Sequence, residues 1–160
     1  MPIIVQKYGG TSIGSIEKIS KVADKIISEK EKGNDIIVVV SAMSGETNRL
    51  IELAKSIDKD VNGREYDVLI STGEQVTTSL VAMTLIKKGH KAISLTGQQA
   101  GIITDSIFNK ARIESIDKSN IKKHLDSGYI VIVAGFQGVT ERGDITTLGR
   151  GGSDTSAVAV

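Results

Sequence analysis

Short runs of branched aliphatic residues, apolar at nearly every position, alternate along this chain with longer amphipathic stretches. The runs are Ile3-Ile4-Val5, Asp35 to Val40, Ala92 to Leu95 and Tyr129 to Ala134. A strand with no polar side has no face to turn to water, so it belongs in a sheet covered on both faces. Between the runs, residues 15–32 place Ile16, Ile19, Val22, Ala23, Ile26 and Ile27 on one helical face, with Gly33 as a stop. Leu50, Leu53, Ala54 and Ile57 mark a second helix, and a third is predicted over residues 74–88, closed by Gly89. Residues 121–125 give a short helix, and 139–148 a hairpin turning at Gly143. Strands alternating with helices predict a mostly parallel sheet. Ser153 to Val160 opens a further helix inside which the sequence stops, so the domain is expected to continue beyond it.

Composition removes several classes of function. The chain of 160 residues carries 20 Lys+Arg against 19 Asp+Glu and only five aromatic residues, Phe 2 and Tyr 3. That near-neutral balance argues against a nucleic-acid or anionic-membrane binder. With no Cys, thiol catalysis and Cys-ligated metals are excluded. His90 and His124 lie far apart, each beside Lys, so no histidine metal site is expected. No apolar run approaches the roughly 20 residues of a membrane span, and no signal peptide is visible. These features predict a soluble, cytoplasmic protein with an aliphatic core.

Six of the 17 glycines fall in two strand-to-helix turns: Gly9, Gly10 and Gly14, then Gly149, Gly151 and Gly152. Such turns lie at the carboxyl ends of parallel strands, where ligands bind. Glycine lets backbone approach a ligand closely, and the following helix start offers N–H groups to an anion. The first turn is not a Walker A loop, because Ser15 stands where that motif needs Lys. Its cation, Lys7, precedes the glycines instead, within reach of phosphate oxygens. Ser41 to Thr47 follows the second strand, and Ser71-Thr72-Gly73-Glu74 is read as a turn before the third helix. Ser44 or Thr47 as helix caps, and Glu74 favouring a helix dipole, account for these segments without a ligand. Alternatively, Glu74 receives a substrate ammonium. Arg150 and Asp154 read either as a surface ion pair or as a carboxylate clamp beside an acid. The methionines and sparse aromatics are expected to pack, Phe136 excepted, since it ends the last long strand.

Four segments in order, Val5-Gln6-Lys7-Tyr8-Gly9-Gly10-Thr11-Ser12-Ile13, Ser71-Thr72-Gly73-Glu74, Phe136-Gln137-Gly138 and Thr147 to Thr155, resemble the motifs of the aspartokinases, in the amino-acid kinase superfamily. The resemblance implies a three-layer α/β/α sandwich with a mainly parallel sheet, incomplete at its C-terminus. It also implies phosphoryl transfer from ATP with Mg²⁺ to the side-chain carboxylate of L-aspartate. That step opens the biosynthesis of lysine, threonine and methionine. Carried over, Lys7, Tyr8, Gly9, Gly10 and Ser41 hold phosphates. Thr47, Glu74, Arg150, Gly151 and Ser153 hold aspartate, Asp154 organises the catalytic centre, and no residue is assigned to a metal. The family's adenine-binding part and ACT regulatory domains lie beyond the last motif. Residues 1–160 are therefore expected to be the N-terminal part of a kinase domain, inactive alone and homo-oligomeric in the complete enzyme. A non-catalytic aspartate-binding module, or an acetylglutamate or glutamate kinase, are the alternatives.

Overall fold

The computed structural model describes residues 2–149 and 152–160, with side chains in the second stretch from residue 155 onward. Four strands, β1 (Ile3–Tyr8), β2 (Asp35–Val40), β3 (Ala92–Leu95) and β6 (Ile130–Ala134), form an all-parallel sheet in the order β1-β2-β6-β3. The central pair, β2 and β6, is in register from Ile37 opposite Val131 to Val40 opposite Ala134. Alternate side chains therefore feed two cores. Ile36, Val38, Val40, Ile130 and Ile132 pack beneath helices α1 (Ile16–Glu31) and α3 (Arg64–Lys87). Ile37, Val39, Val131 and Val133 meet α4 (Ser119–Asp126) and α5 (Gly152–Ala159) on the other side. Each such aliphatic side chain contributes about 1.5–3 kcal/mol on burial. The three layers and parallel sheet expected from the sequence are present, and the outer strand β1 leaves Ile3 and Val5 exposed.

A second sheet, β5-β4-β7-β8, was not expected beyond its hairpin. Strand β4 (Ile102–Thr104) pairs antiparallel with β5 (Ile113–Ile116) and parallel with β7 (Gln137–Val139). Strands β7 and β8 (Ile145–Thr147) make the hairpin, which turns at Gly143 with φ 89°. Gly101 opens β4 at φ 82°, and a Cβ there would lie 2.0 Å from the Asp117 carbonyl oxygen.

The helices correct the sequence reading in three places. Helix α3 begins at Arg64, ten residues before the predicted start, so Ser71 to Glu74 is helix interior and not a turn. The Ser71 and Thr72 hydroxyls donate back to the Val68 and Leu69 carbonyls at 2.9 and 2.7 Å, which lets polar residues sit inside a helix. Gly73 is there for close packing, because a Cβ would come 2.9 Å from the Ala42 Cβ. Helix α2 (Glu46–Ile57) starts at Gly45 with φ 81° and no side-chain cap, so neither Ser44 nor Thr47 caps it. Finally, α3 buries a largely polar stripe (Asp67, Ser71, Glu74, Thr77, Thr78), which turns Val76, Met83 and Ile86 outward. Met83 is thus not the packing residue that was expected.

Candidate active site

The site is built around the short segment after β2. Its Ser41 N–H donates to the Tyr8 carbonyl at 3.1 Å, and its Ser44 N–H to the Gly10 carbonyl at 3.2 Å. Its Ala42 N–H donates to Glu74 Oε2 at 3.3 Å. One segment therefore joins the Lys7 glycine turn to the middle of α3. The carboxyl end of β6 closes the row, with the Gly135 N–H on the Val40 carbonyl at 3.0 Å.

Within the first turn, strand alternation puts Lys7 and Tyr8 on opposite faces of the sheet. Tyr8 is half-buried against the α1/α3 core and donates to Gln6 Oε1 at 3.3 Å. Burial, with the charge of Glu29, holds its pKa above the ordinary tyrosine value. Tyr8 thus supports the turn through its carbonyl and its ring. The Lys7 ammonium curls back over the turn, 3.6 Å from where a Gly9 Cβ would stand. Gly10 packs so tightly on the next segment that a Cβ would sit 2.9 Å from the Ala42 carbonyl oxygen. Any side chain at Gly10 would push the turn off the segment that carries Ser41.

Glu74 is 3% exposed, and its second oxygen, Oε1, is buried without a hydrogen-bond partner. Burial pushes its carboxyl up to about 7, against the opposing pull of its own and the Ala42 amides. From 4.5 to about 7 the shift corresponds to on the order of 3 kcal/mol against the ionised form. A buried carboxylate oxygen without a partner can accept a hydrogen bond or pair with a cation. Thr47 lies half-buried in the first turn of α2, next to Glu46, whose Cγ is 3.8 Å from a Cβ placed on Gly73.

Arg150 and Gly151 lie outside the described residues, as do the side chains of Ser153 and Asp154 in α5. The helix itself packs on β1, β2 and β7. The Ser156 hydroxyl accepts from the Phe136 N–H at 3.3 Å, which ties α5 to the end of β6. Phe136 has φ 69°, a left-handed backbone conformation unfavourable for a bulky residue, held by this tie and by the Leu148 N–H on its carbonyl at 2.9 Å. A cavity of about 680 Å³ opens beside Gly149, lined by Lys110, Arg112, Leu148 and Thr155 among others. Neither Lys7 nor Glu74 lines it.

Two buried residues, Gln137 within a quoted segment and Asp67 outside all of them, carry no role in the sequence reading. Gln137, 2% exposed, donates through Nε2 to the Ser71 carbonyl at 2.8 Å and accepts from the Gly97 N–H at 3.4 Å. Asp67 is fully buried: Oδ2 accepts from the Asn109 and Thr147 N–H groups at 3.0 and 2.8 Å, and Oδ1 from the Thr147 hydroxyl at 3.0 Å. Burial raises its pKa despite these bonds. The available signal was spacing, since Asp67, Ser71, Glu74 and Thr78 repeat at helical intervals.

A model of the "Amino acid kinase family" matches residues 2–160. The aspartokinase of Geobacillus stearothermophilus is 61% identical over all of this chain, and the aspartate kinase of Pseudomonas putida 60% identical; each match covers 39% of the relative. The crystal structure of aspartate kinase from Synechocystis superposes with TM-score 0.82 at 47% identity, covering 99% of this chain and 26% of that one. Escherichia coli aspartokinase III, solved with aspartate and ADP, shares the fold at TM-score 0.82 and 23% identity, over 96% of this chain and 45% of that one. The chain thus spans about two-fifths of the length of the curated relatives it matches. With a family match running from residue 2 to residue 160, over this parallel sheet and its covering helices, the chain belongs to the amino acid kinase family.

Proposed function

We propose that these residues form the aspartate-binding and phosphate-facing part of an aspartate kinase. The observation that carries this reading is Glu74, a buried carboxylate with one oxygen on the Ala42 amide and the other open, joined through one segment to the Lys7 turn. An ammonium group on Glu74 stabilises the ionised form that burial disfavours. Arg150 then takes a substrate carboxylate, and Thr47, Gly151 and Ser153 line the same ligand. Lys7, with the backbone of Gly9, Gly10 and Ser41, faces the phosphates of ATP. Resemblance to relatives named aspartokinase, at about 60% identity, supports aspartate as the acceptor.

In the transfer, an oxygen of the aspartate side-chain carboxylate attacks the γ-phosphorus. The bond from that phosphorus to the β–γ bridging oxygen breaks, and ADP departs with the electron pair. The attacking carboxylate carries no proton at neutral pH, so no general base is needed. Catalysis is then positioning and neutralisation of charge on the transferring phosphoryl group, work suited to Lys7 and the glycine turn. Asp154 is assigned to organising the centre. Mg²⁺ is read as entering with ATP, as part of the substrate, where it would add positive charge beside the transferring phosphoryl group. The complete enzyme is proposed to be a cytoplasmic homo-oligomer serving lysine, threonine and methionine synthesis.

Because the chain spans 39% of these relatives, transfer is assigned to the longer polypeptide, and the 160 residues alone are read as binding aspartate without transfer. The test is ADP release by the longer polypeptide with L-aspartate, L-glutamate and N-acetyl-L-glutamate side by side. L-aspartate is expected to support turnover at least about a hundredfold better than the other two, since each leaves a buried polar group unpaired or misplaced. Equal turnover with N-acetyl-L-glutamate, which has no ammonium for Glu74, would contradict the assignment.

A further inference from the structure

We infer that two copies of this chain pair antiparallel through the outer face of α3, with Val76 on the two-fold axis. The inference gives an interface to the homo-oligomer proposed above and rests on that oligomer, not on the substrate reading. Val76 stands at the middle of the 24-residue helix and is 44% exposed. Each residue turns a helix by about 100°, so positions seven and eleven residues away return to within about 20° of Val76. Seven residues to either side stand Leu69 and Met83, half-buried and exposed. Eleven residues to either side stand Glu65 and Lys87, both exposed. Thr72 and Leu80, four residues away, lie about 40° to either side of the same line. The outer face is therefore placed symmetrically about Val76, apolar in its middle and oppositely charged at its two ends.

That symmetry selects a second copy as the occupant, because a two-fold contact uses the same patch on both sides. In an antiparallel pair turned about Val76, Leu69 of each copy meets Met83 of the other, and Glu65 meets Lys87. Within one chain Glu65 and Lys87 stand 22 residues apart, about 33 Å along the helix, and screen out of each other's reach. The Glu65 carboxylate takes Arg64 on Oε2 at 2.5 Å, yet its side chain stays 79% exposed and open to a second cation. Antiparallel pairing also sets the two helix dipoles in opposition. It covers Val76 and Met83, which the polar inner stripe of α3 turns toward water. A partner of unrelated sequence would need none of this symmetry.

The experiment uses the longer polypeptide, with any cysteine outside residues 1–160 replaced by serine, since these 160 residues contain none. Cysteines placed on α3 are treated with a bismaleimide spanning about 10 Å, comparable to the distance between packed helix axes. Val76→Cys is expected to join most chains in pairs. Met83→Cys alone should join at least about tenfold more slowly, because its two copies lie about 21 Å apart in the proposed register. Adding Leu69→Cys to Met83→Cys should bring joining to within about threefold of Val76→Cys, since each then faces the other across the pair. Sedimentation of the unsubstituted polypeptide supplies its mass. A monomer removes the homo-oligomer and the inference together. An oligomer in which Val76→Cys does not join overturns the inference alone, whether that thiol reacts freely with a monofunctional maleimide (a bare face) or resists it (a face covered by another segment). Equal joining at Val76 and Met83 shows a parallel or unregistered contact and also overturns it. If Val76→Cys does not fold, the Leu69→Cys, Met83→Cys combination decides, and joining no faster than Met83→Cys alone refutes the pairing.

Discussion

Gly101→Ala is expected to cost about 4 kcal/mol and to lower the melting temperature by about 10 °C, near the top of the range for a single methyl group. Two effects combine. The left-handed backbone at φ 82° disfavours any L side chain by roughly 1–2 kcal/mol. The new Cβ would also lie 2.0 Å from the Asp117 carbonyl oxygen and 2.9 Å from its carbon, which are backbone atoms that cannot swing aside. Relief requires parting the start of β4 from residue 117, at the cost of the Asp117 N–H bond to the Gly101 carbonyl, now 2.9 Å. Gly143→Ala is the control, because φ is 89° there but nothing lies within 4 Å of the added carbon. It should lose only about 1–2 kcal/mol. Calorimetry on the two variants separates the terms, and equal melting temperatures would show that the close approach at Gly101 carries no energy.

Lys7→Ala, made in the longer polypeptide, is expected to lower kcat by about a hundredfold to a thousandfold and to leave the KM for aspartate within about threefold. Lys7 shares its turn with the phosphate-facing backbone, while aspartate is assigned to Glu74 on the far side of the segment after β2. A cation that meets charge chiefly as the phosphoryl group transfers acts on kcat. Steady-state kinetics with aspartate varied at saturating ATP reads the split. A rise in KM for aspartate at unchanged kcat would move Lys7 to the amino-acid side of the site.

What the sequence disclosed follows from how each element is buried. Strands β2 and β6 were legible because both of their faces are covered, leaving unbroken aliphatic runs. Strands β4 and β7 have three residues each, and β5 carries Glu114 and Ser115, so no run or alternation stands out. The first half of α3 was hidden for the opposite reason. Its buried side is polar, so apolar periodicity missed it, and Ser71-Thr72-Gly73 carries the composition of a turn. Glu74 was therefore picked out as a ligand residue while being placed on the wrong local structure. The Lys7 turn was legible because a glycine pair directly after an apolar strand is unusual. Asp67 was not, since it lies in the charged stretch Arg64-Glu65-Tyr66-Asp67, and only the fold brings Asn109 and Thr147 to it. These bonds span 42 and 80 residues of sequence, separations that no local pattern encodes.

The central claim is that Glu74 receives the ammonium of L-aspartate, and calorimetric titration with L-aspartate and succinate across pH tests it most directly. Succinate carries the same two carboxylates but no ammonium. Glu74 in the free protein titrates at about 7, and an ammonium binds only its ionised form. L-Aspartate affinity should therefore rise about tenfold per pH unit up to about 7 and then level. Succinate affinity should be level up to about 7 and fall above it, because only the ionised carboxylate repels it. Glu74→Gln should abolish the rise, weaken L-aspartate by about thirtyfold or more above about pH 7, and remove the fall in succinate affinity. Equal affinities for the two ligands, with the same pH profile and no response to Glu74→Gln, would contradict the account.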